Sequence, residues 1–302
     1  MHLRFQAPSR RGLSLAAALA LGAGFCLPAS ALPVIGLTTT NALVTFDSAS
    51  PTNGSTLSTI TGLQSANERI LGIDTRTSTG VLYGVSSDSK VYSLTMGGAA
   101  TYVATLATPL NGSAIGVDFN PVADNTAMTS LRIVSSGGQN LAFNVDTGAT
   151  ANTAGMIPTG LTSVAYSNND RDAGTSTALY YIDSGSNELK IAPTAFNSPT
   201  ITTVGSLGMD VTGVSGFDIY SASTGYAAFT DADTGKSALY SIDLATGAAT
   251  FAGAFGIGGS TAIAPPLLGL TIAAVVPEPQ TYALMIAGLA AVGFVARRRR
   301  RG

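Results

Sequence analysis

One cysteine, one histidine and no tryptophan occur among 302 residues, and only 11% of the chain is charged. Cys26 and His2 both lie in the first 31 residues. If that leader is removed, the remaining chain has no thiol and no imidazole. Disulfides, cysteine-containing zinc sites, Ser-His-Asp triads and Cys-His dyads are then excluded. Chemistry would have to rest on carboxylates, Lys, Tyr, Ser or Thr, or on a hard metal held by oxygen. Scarce charge combined with many Val, Thr and Tyr residues favours strands over surface helices. Disorder would need low hydrophobicity and high net charge, and this chain has neither.

Basic residues are scarcest in the middle. The net charge of −2 hides Arg4, Arg10 and Arg11 at the start and five arginines at the end. Between residues 32 and 276 there are 7 bases and 16 acids, a net of −9. So acidic a body is a poor partner for a phosphate backbone, and nucleic acid is not expected to bind.

Residues 1–31 have the three parts of a secretory signal peptide. Basic residues come first, an apolar stretch from Leu13 to Leu27 follows, and Ala29-Ser30-Ala31 supplies the small-x-small pattern that signal peptidase cuts. That stretch of 15 residues falls short of the roughly 20 that span a bilayer. Ser9-Arg10-Arg11-Gly12-Leu13 leaves open a twin-arginine route instead of the general one. Cys26 fits lipoprotein processing poorly, because Phe25 stands where a small residue is needed.

The body repeats itself. Val81-Leu82-Tyr83-Gly84-Val85-Ser86-Ser87 has counterparts at Ser130–Ser136, Leu179–Ser184, Tyr226–Thr230 and Val34–Thr38, a period near 48 residues. After each comes a turn rich in Asn, Asp, Gly and Ser, then a second strand-like run such as Val91–Leu94 or Leu239–Ile242. A third run often follows. An element such as Ile70–Asp74, Ile115–Asp118, Ser163–Tyr166 or Gly216–Ile219 precedes most units. Four short antiparallel strands per 40–50 residues is the arithmetic of a propeller blade. The first unit lacks its leading element, and Leu268-Gly269-Leu270-Thr271-Ile272 supplies one at the far end. The spacing therefore predicts an all-β, five-bladed β-propeller over residues 32–275, closed by a C-terminal strand that removes the open sheet edge. A β-sandwich or β-solenoid is the alternative, and the fourth unit repeats least well.

Asp74, Asp118 and Asp218 stand at matching places after the innermost strands. In a closed ring they would converge at one mouth of the channel, to hold Ca²⁺ or a sugar hydroxyl. The alternative is that each caps its own turn and needs no ligand. Asn168-Asn169-Asp170-Arg171-Asp172-Ala173-Gly174 echoes a calcium loop, but its Gly is one place late and Leu179 stands where Glu is required. Gly235-Lys236-Ser237 resembles the end of a phosphate loop but sits in a hairpin, and Thr230 replaces the earlier Gly. Tyr83, Tyr92, Tyr102, Tyr180, Tyr181 and Tyr240 read as half-buried core at strand spacing, with sugar stacking as the sharper alternative.

The C-terminal segment, residues 276–302, has three parts. Val276-Pro277-Glu278-Pro279 must be extended, because proline blocks regular structure. Tyr282 to Ala296 is an uncharged run, read as one short transmembrane helix. Arg297, Arg298, Arg299, Arg300 and Arg301 would stop transfer and stay on the cytoplasmic side. Together these parts resemble the PEP-CTERM sorting signal of Gram-negative bacteria. The resemblance implies processing by an exosortase and export across the envelope, often beside extracellular polysaccharide. The body resembles an uncharacterised repeat domain of such exported proteins, carried by Ile35–Thr38 with Leu43–Asp47 and by Leu71–Asp74 with Leu82–Val85. That likeness implies a propeller-like fold and assigns no activity.

The expected protein is a non-enzymatic binding or structural propeller. It would be tethered briefly to the inner membrane, then sorted to the cell surface or biofilm matrix, where polysaccharide is the expected partner. No cofactor is expected, with Ca²⁺ as the exception that the Asp residues allow. The competing reading is a glycosidase or lyase with paired acid and base among those Asp residues. That reading loses its best candidate if the three point apart. A spacer without any ligand is the third.

Overall fold

The computed structural model describes residues 32–125, 128–151, 156–169 and 174–273. Ala29, Ala31, Pro277, Glu278, Pro279, the apolar run and Arg297 to Arg301 lie outside the described residues, as do residues 170–173 of the calcium-like loop.

Five four-stranded antiparallel sheets form the blades. From the inside outwards, blade 1 has Leu267–Ile272, Pro33–Thr38, Ala42–Asp47 and Ser58–Thr59. Blade 2 has Ile70–Thr75, Leu82–Ser86, Lys90–Leu94 and Ala100–Thr105. Blade 3 has Ile115–Phe119, Leu131–Ser135, Asn140–Asn144 and Ala149–Ala151. Blade 4 has Leu161–Tyr166, Leu179–Asp183, Glu188–Ala192 and Thr202–Ser206. Blade 5 has Val211–Ile219, Thr224–Asp231, Ser237–Asp243 and Ala249–Ala254, followed by a small hairpin, Gly256–Ile257 with Ser260–Ile263. The expected five-bladed propeller is what forms, and the C-terminal strand closes blade 1 by pairing with Pro33–Thr38. Blade 4, the faintest repeat in sequence, is a full blade. The shortest outer strands are in blades 1 and 3.

Local turn chemistry explains why each unit folds as a hairpin series. The second strand of every blade ends in an oxygen-bearing residue: Thr38, Ser86, Ser135, Asp183 or Asp231. Each accepts a backbone N–H from the turn that follows. A residue with positive φ then reverses the chain: Asn41, Ser89, Gly138, Asn187 or Gly235. Asn and Gly tolerate that conformation best. Three of these turn side chains also reach the next blade, where Asn41 accepts from Ile70 N, Ser89 from Leu110 N and Asn187 from Val211 N.

Successive side chains on a strand point to opposite faces, and here both faces are covered. Val34 packs into the cluster with blade 5, whereas its neighbour Ile35 packs into the cluster with blade 2. Five apolar clusters result, one per blade interface. The innermost strands approach one another closely because a small residue recurs on each: Gly72, Gly116, Ser163, Gly216 and Gly269. A Cβ added at Gly216 would lie 2.4 Å from the Leu270 nitrogen, and one at Gly116 would lie 2.8 Å from Ser163 Cα.

Candidate functional site: a carboxylate cluster in the channel

Two residues beyond each small residue, on the same strand face, the five blades carry Asp74, Asp118, Ala165, Asp218 and Thr271. That face points at the neighbouring blade's backbone, and the side chains form a directional ring. Asp74 Oδ2 accepts from Phe119 N at 2.7 Å, and Asp118 Oδ2 accepts from Tyr166 N at 2.7 Å. Asp218 Oδ2 accepts from Ile272 N at 2.6 Å, and Thr271 Oγ1 accepts from Thr75 N at 3.2 Å. Ala165 offers no acceptor, so Ile219 N bonds Oδ1 of its own neighbour Asp218 at 2.6 Å. The Thr271 hydroxyl also donates to Asp74 Oδ1 at 2.8 Å, which ties the closing strand to blade 2.

The three carboxylates therefore converge, with one oxygen from each within 4.8 Å of the others. They lie inside the channel and not at an open mouth, since each Asp is at most 3% exposed. Capping occurs as well, but mainly onto the next blade's inner strand instead of a residue's own turn. Only Asp218 also serves the backbone beside it.

Burial, followed by the charge of Asp218, holds the Asp74 carboxyl well above its ordinary range. Burial does the same to Asp118, with Asp74 and Asp218 adding repulsion. Asp218 is pushed up to about 6, chiefly by burial. Three buried carboxylates cannot all ionise without compensation. Shared protons or one small cation would supply it. The oxygens are close enough to meet at one ion. Calcium, however, takes about six to eight oxygens, and among the described residues only Thr271 brings a further side-chain oxygen to the cluster by hydrogen bond. A cavity between the inner strands, lined in part by Gly72, Gly116, Ser163, Gly216 and Gly269, has a volume near 10 Å³. That is about the space of one water, far below what a sugar ring needs.

The other sequence features sit as follows. Gly235-Lys236-Ser237 lies in the blade 5 hairpin, with Gly235 N bonded to Asp231 O. Tyr92 and Tyr181 are fully buried, Tyr83, Tyr180 and Tyr240 are half-buried, and Tyr102 is exposed. Arg132, in the repeat segment Ser130–Ser136, is a functional candidate that the pattern did not single out. Its signal was a charge flanked by Leu131 and Ile133 in a strand whose every residue is buried.

No curated protein matches the sequence. Among solved structures, the Dos1 propeller is similar at 15% identity and a TM-score of 0.37, over 69% of this chain and 53% of its own. A protein of unknown function from Bacteroides thetaiotaomicron is similar at 12% identity and a TM-score of 0.47, over 80% of this chain and 64% of its own. The chain thus spans less than two thirds of the length of either structure. Residues 275–301 match the PEP-CTERM protein-sorting motif. That motif marks an exported protein, sorted by an exosortase to the surface of a Gram-negative cell. Residues 42–264 match the domain of unknown function DUF4394, and the chain belongs to that family.

Proposed function

We propose that this propeller is a non-enzymatic binding module of the cell surface or extracellular matrix, with exopolysaccharide as its partner. Signal peptidase would act after Ala31, and the tail would hold the body at the inner membrane until exosortase releases it. The observation that carries the reading is the state of the three aspartates. They are the best acid–base candidates in a chain that loses its only His and Cys with its leader. Their oxygens serve the joints between blades, they are at most 3% exposed, and the cavity between the inner strands is too small for a saccharide. A glycosidase needs its two carboxyls to flank a substrate bond.

The convergence and raised pKa values of Asp74, Asp118 and Asp218 favour the competing reading, a carboxylate-based glycosidase or lyase. One experiment separates the two. The processed protein is incubated with exopolysaccharide from its own host and with a glycan array, with and without Ca²⁺, and the supernatant is assayed for new reducing ends and unsaturated sugars. Retention on glycans without product release is expected. Product release that Asp118→Asn abolishes would establish the enzyme instead.

A further inference from the structure

We infer that an open groove between blades 3 and 4 binds the carboxylate of an acidic sugar through Arg132, which deepens the binding reading above and rests on it. The groove has a volume of about 780 Å³, within the size range of small-ligand sites. Arg132, Asn120, Asn144, Asn197, Thr129 and Phe196 are among the residues that line it. Among the described residues, Arg132 is the one charged residue in that lining.

Its guanidinium is unusual in its partners. Arg132 is only 2% exposed, and a guanidinium is a permanent cation. Nε donates to the Tyr166 hydroxyl at 3.2 Å, Nη1 to Asn140 Oδ1 at 2.8 Å and Nη2 to Asn197 Oδ1 at 2.9 Å. All three acceptors are neutral. Among the described residues no carboxylate pairs with it. Asp118 stands opposite in the strand register, but its carboxylate goes to Tyr166 N and the channel cluster. Asp124 and Asp146, beyond Thr129, are both held by Arg76 at 2.7 Å. A buried charge without a counter-charge is costly, and the groove is where a counter-ion can enter.

The geometry also selects the kind of anion. A guanidinium has five N–H donors. With three engaged, one N–H remains on each terminal nitrogen to donate to a carboxylate, whose charge-assisted bonds are stronger than those of a neutral acceptor. The neutral amides Asn120, Asn144 and Asn197 suit hydroxyl groups. The Phe196 ring, packed edge-on against Tyr166, adds an apolar surface of the kind that sugar rings lie against. A hydroxylated ring bearing one carboxylate, a uronic acid unit, satisfies all three.

Trigalacturonic acid and neutral galactotriose, titrated calorimetrically into the processed protein at 0.15 M salt, test this. The acid should bind, and the neutral sugar should bind at least about tenfold more weakly, the scale of a lost charge-assisted hydrogen bond. Arg132→Gln should erase the difference. Should Arg132→Gln fail to fold, Ser198→Trp decides. It places a bulky ring at the exposed edge of the groove, and it should abolish binding of the acid while leaving thermal unfolding unchanged. Equal binding of both sugars, or unchanged binding in folded Arg132→Gln or in Ser198→Trp, would overturn the groove proposal while leaving the polysaccharide reading intact. Failure of the protein to bind any glycan, these two included, would remove both.

Discussion

The Asp118 carboxylate, on the inner strand of blade 3, accepts a hydrogen bond from the backbone N–H of Tyr166 on blade 4, 2.7 Å away. The contact spans 48 residues of sequence, one period of the repeat. Replacing the carboxylate by an amide keeps an oxygen that can accept this bond and removes one of three mutually repelling acids. Asp118→Asn is therefore expected to be as stable as the wild type at pH 7, or more stable. Asp118→Ala leaves a buried N–H without a partner and should lose about 1–3 kcal/mol. Chemical denaturation of both variants measures the difference.

The same cluster sets a pH dependence of unusual sign. The folded chain holds protons on these carboxyls that the unfolded chain would release. Their stabilising contribution is complete below about pH 4, the ordinary range of a carboxyl. It declines as pH rises through the folded value, about 6 for Asp218, and Asp74 and Asp118 carry the decline higher. Asp146 has the opposite sign, because hydrogen bonds from Arg76 lower its pKa. The informative quantity is thus the stability difference between wild type and Asp118→Asn, which should shift in favour of the variant between pH 4 and 7. Millimolar calcium should leave the wild-type Tm at pH 7 unchanged. A rise that Asp118→Asn abolishes would put a cation, not protons, among the carboxylates.

Closure of the ring depends on Thr271. Thr271→Val keeps the volume but removes the hydroxyl that donates to Asp74 Oδ1 and accepts from Thr75 N. A loss of about 1–3 kcal/mol in unfolding free energy is expected. A chain ending at Pro266 lacks the whole inner strand of blade 1 and uncovers Leu267, Leu270 and Ile272 positions in the core. It should lose cooperative unfolding, read by circular dichroism, and bind hydrophobic dyes.

Gly216 tests how tightly the inner strands are drawn together. The methyl group of Gly216→Ala would meet backbone atoms of Gly269 and Leu270, which cannot turn aside as a side chain would. Overpacking of this kind costs roughly 1–3 kcal/mol, occasionally more. By contrast, Gly235→Asn sits at an open turn with nothing within 4 Å and tolerates positive φ, so its midpoint should barely move. Parallel thermal melts compare the two.

Processing of the tail has a direct readout. Mass spectrometry of the protein recovered from the cell surface should show a C-terminus near Pro277-Glu278-Pro279. An intact Arg301-Gly302 end on the surface form would contradict release by exosortase.

Much of this fold was legible because each blade is local. Its strands are joined by short turns whose Thr, Ser, Asp, Asn and Gly residues bond within a few positions. The closing strand was legible from what the first unit lacked. The burial of Asp74, Asp118 and Asp218 was harder to read. Their matching positions foretold convergence, but whether they met exposed at an open mouth or buried inside the channel depended on how closely the inner strands approach. The role of Ala165 as the gap in that ring, and the neutral partners that surround Arg132 among the described residues, left little trace in the pattern.

The sequence by itself determined the strand periods, the turn chemistry and the sorting motif, because all of these rest on residues near one another in the chain, and the repeat of those periods gave the blade number. Tertiary structure alone decided which oxygens meet and which charge, among the described residues, has only neutral partners. Asp74 is joined to Thr271 across 197 residues, and Arg132 to Asn197 across 65. Such contacts exist only once the ring has closed, when the small inner residues let five strands converge and desolvate the groups between them.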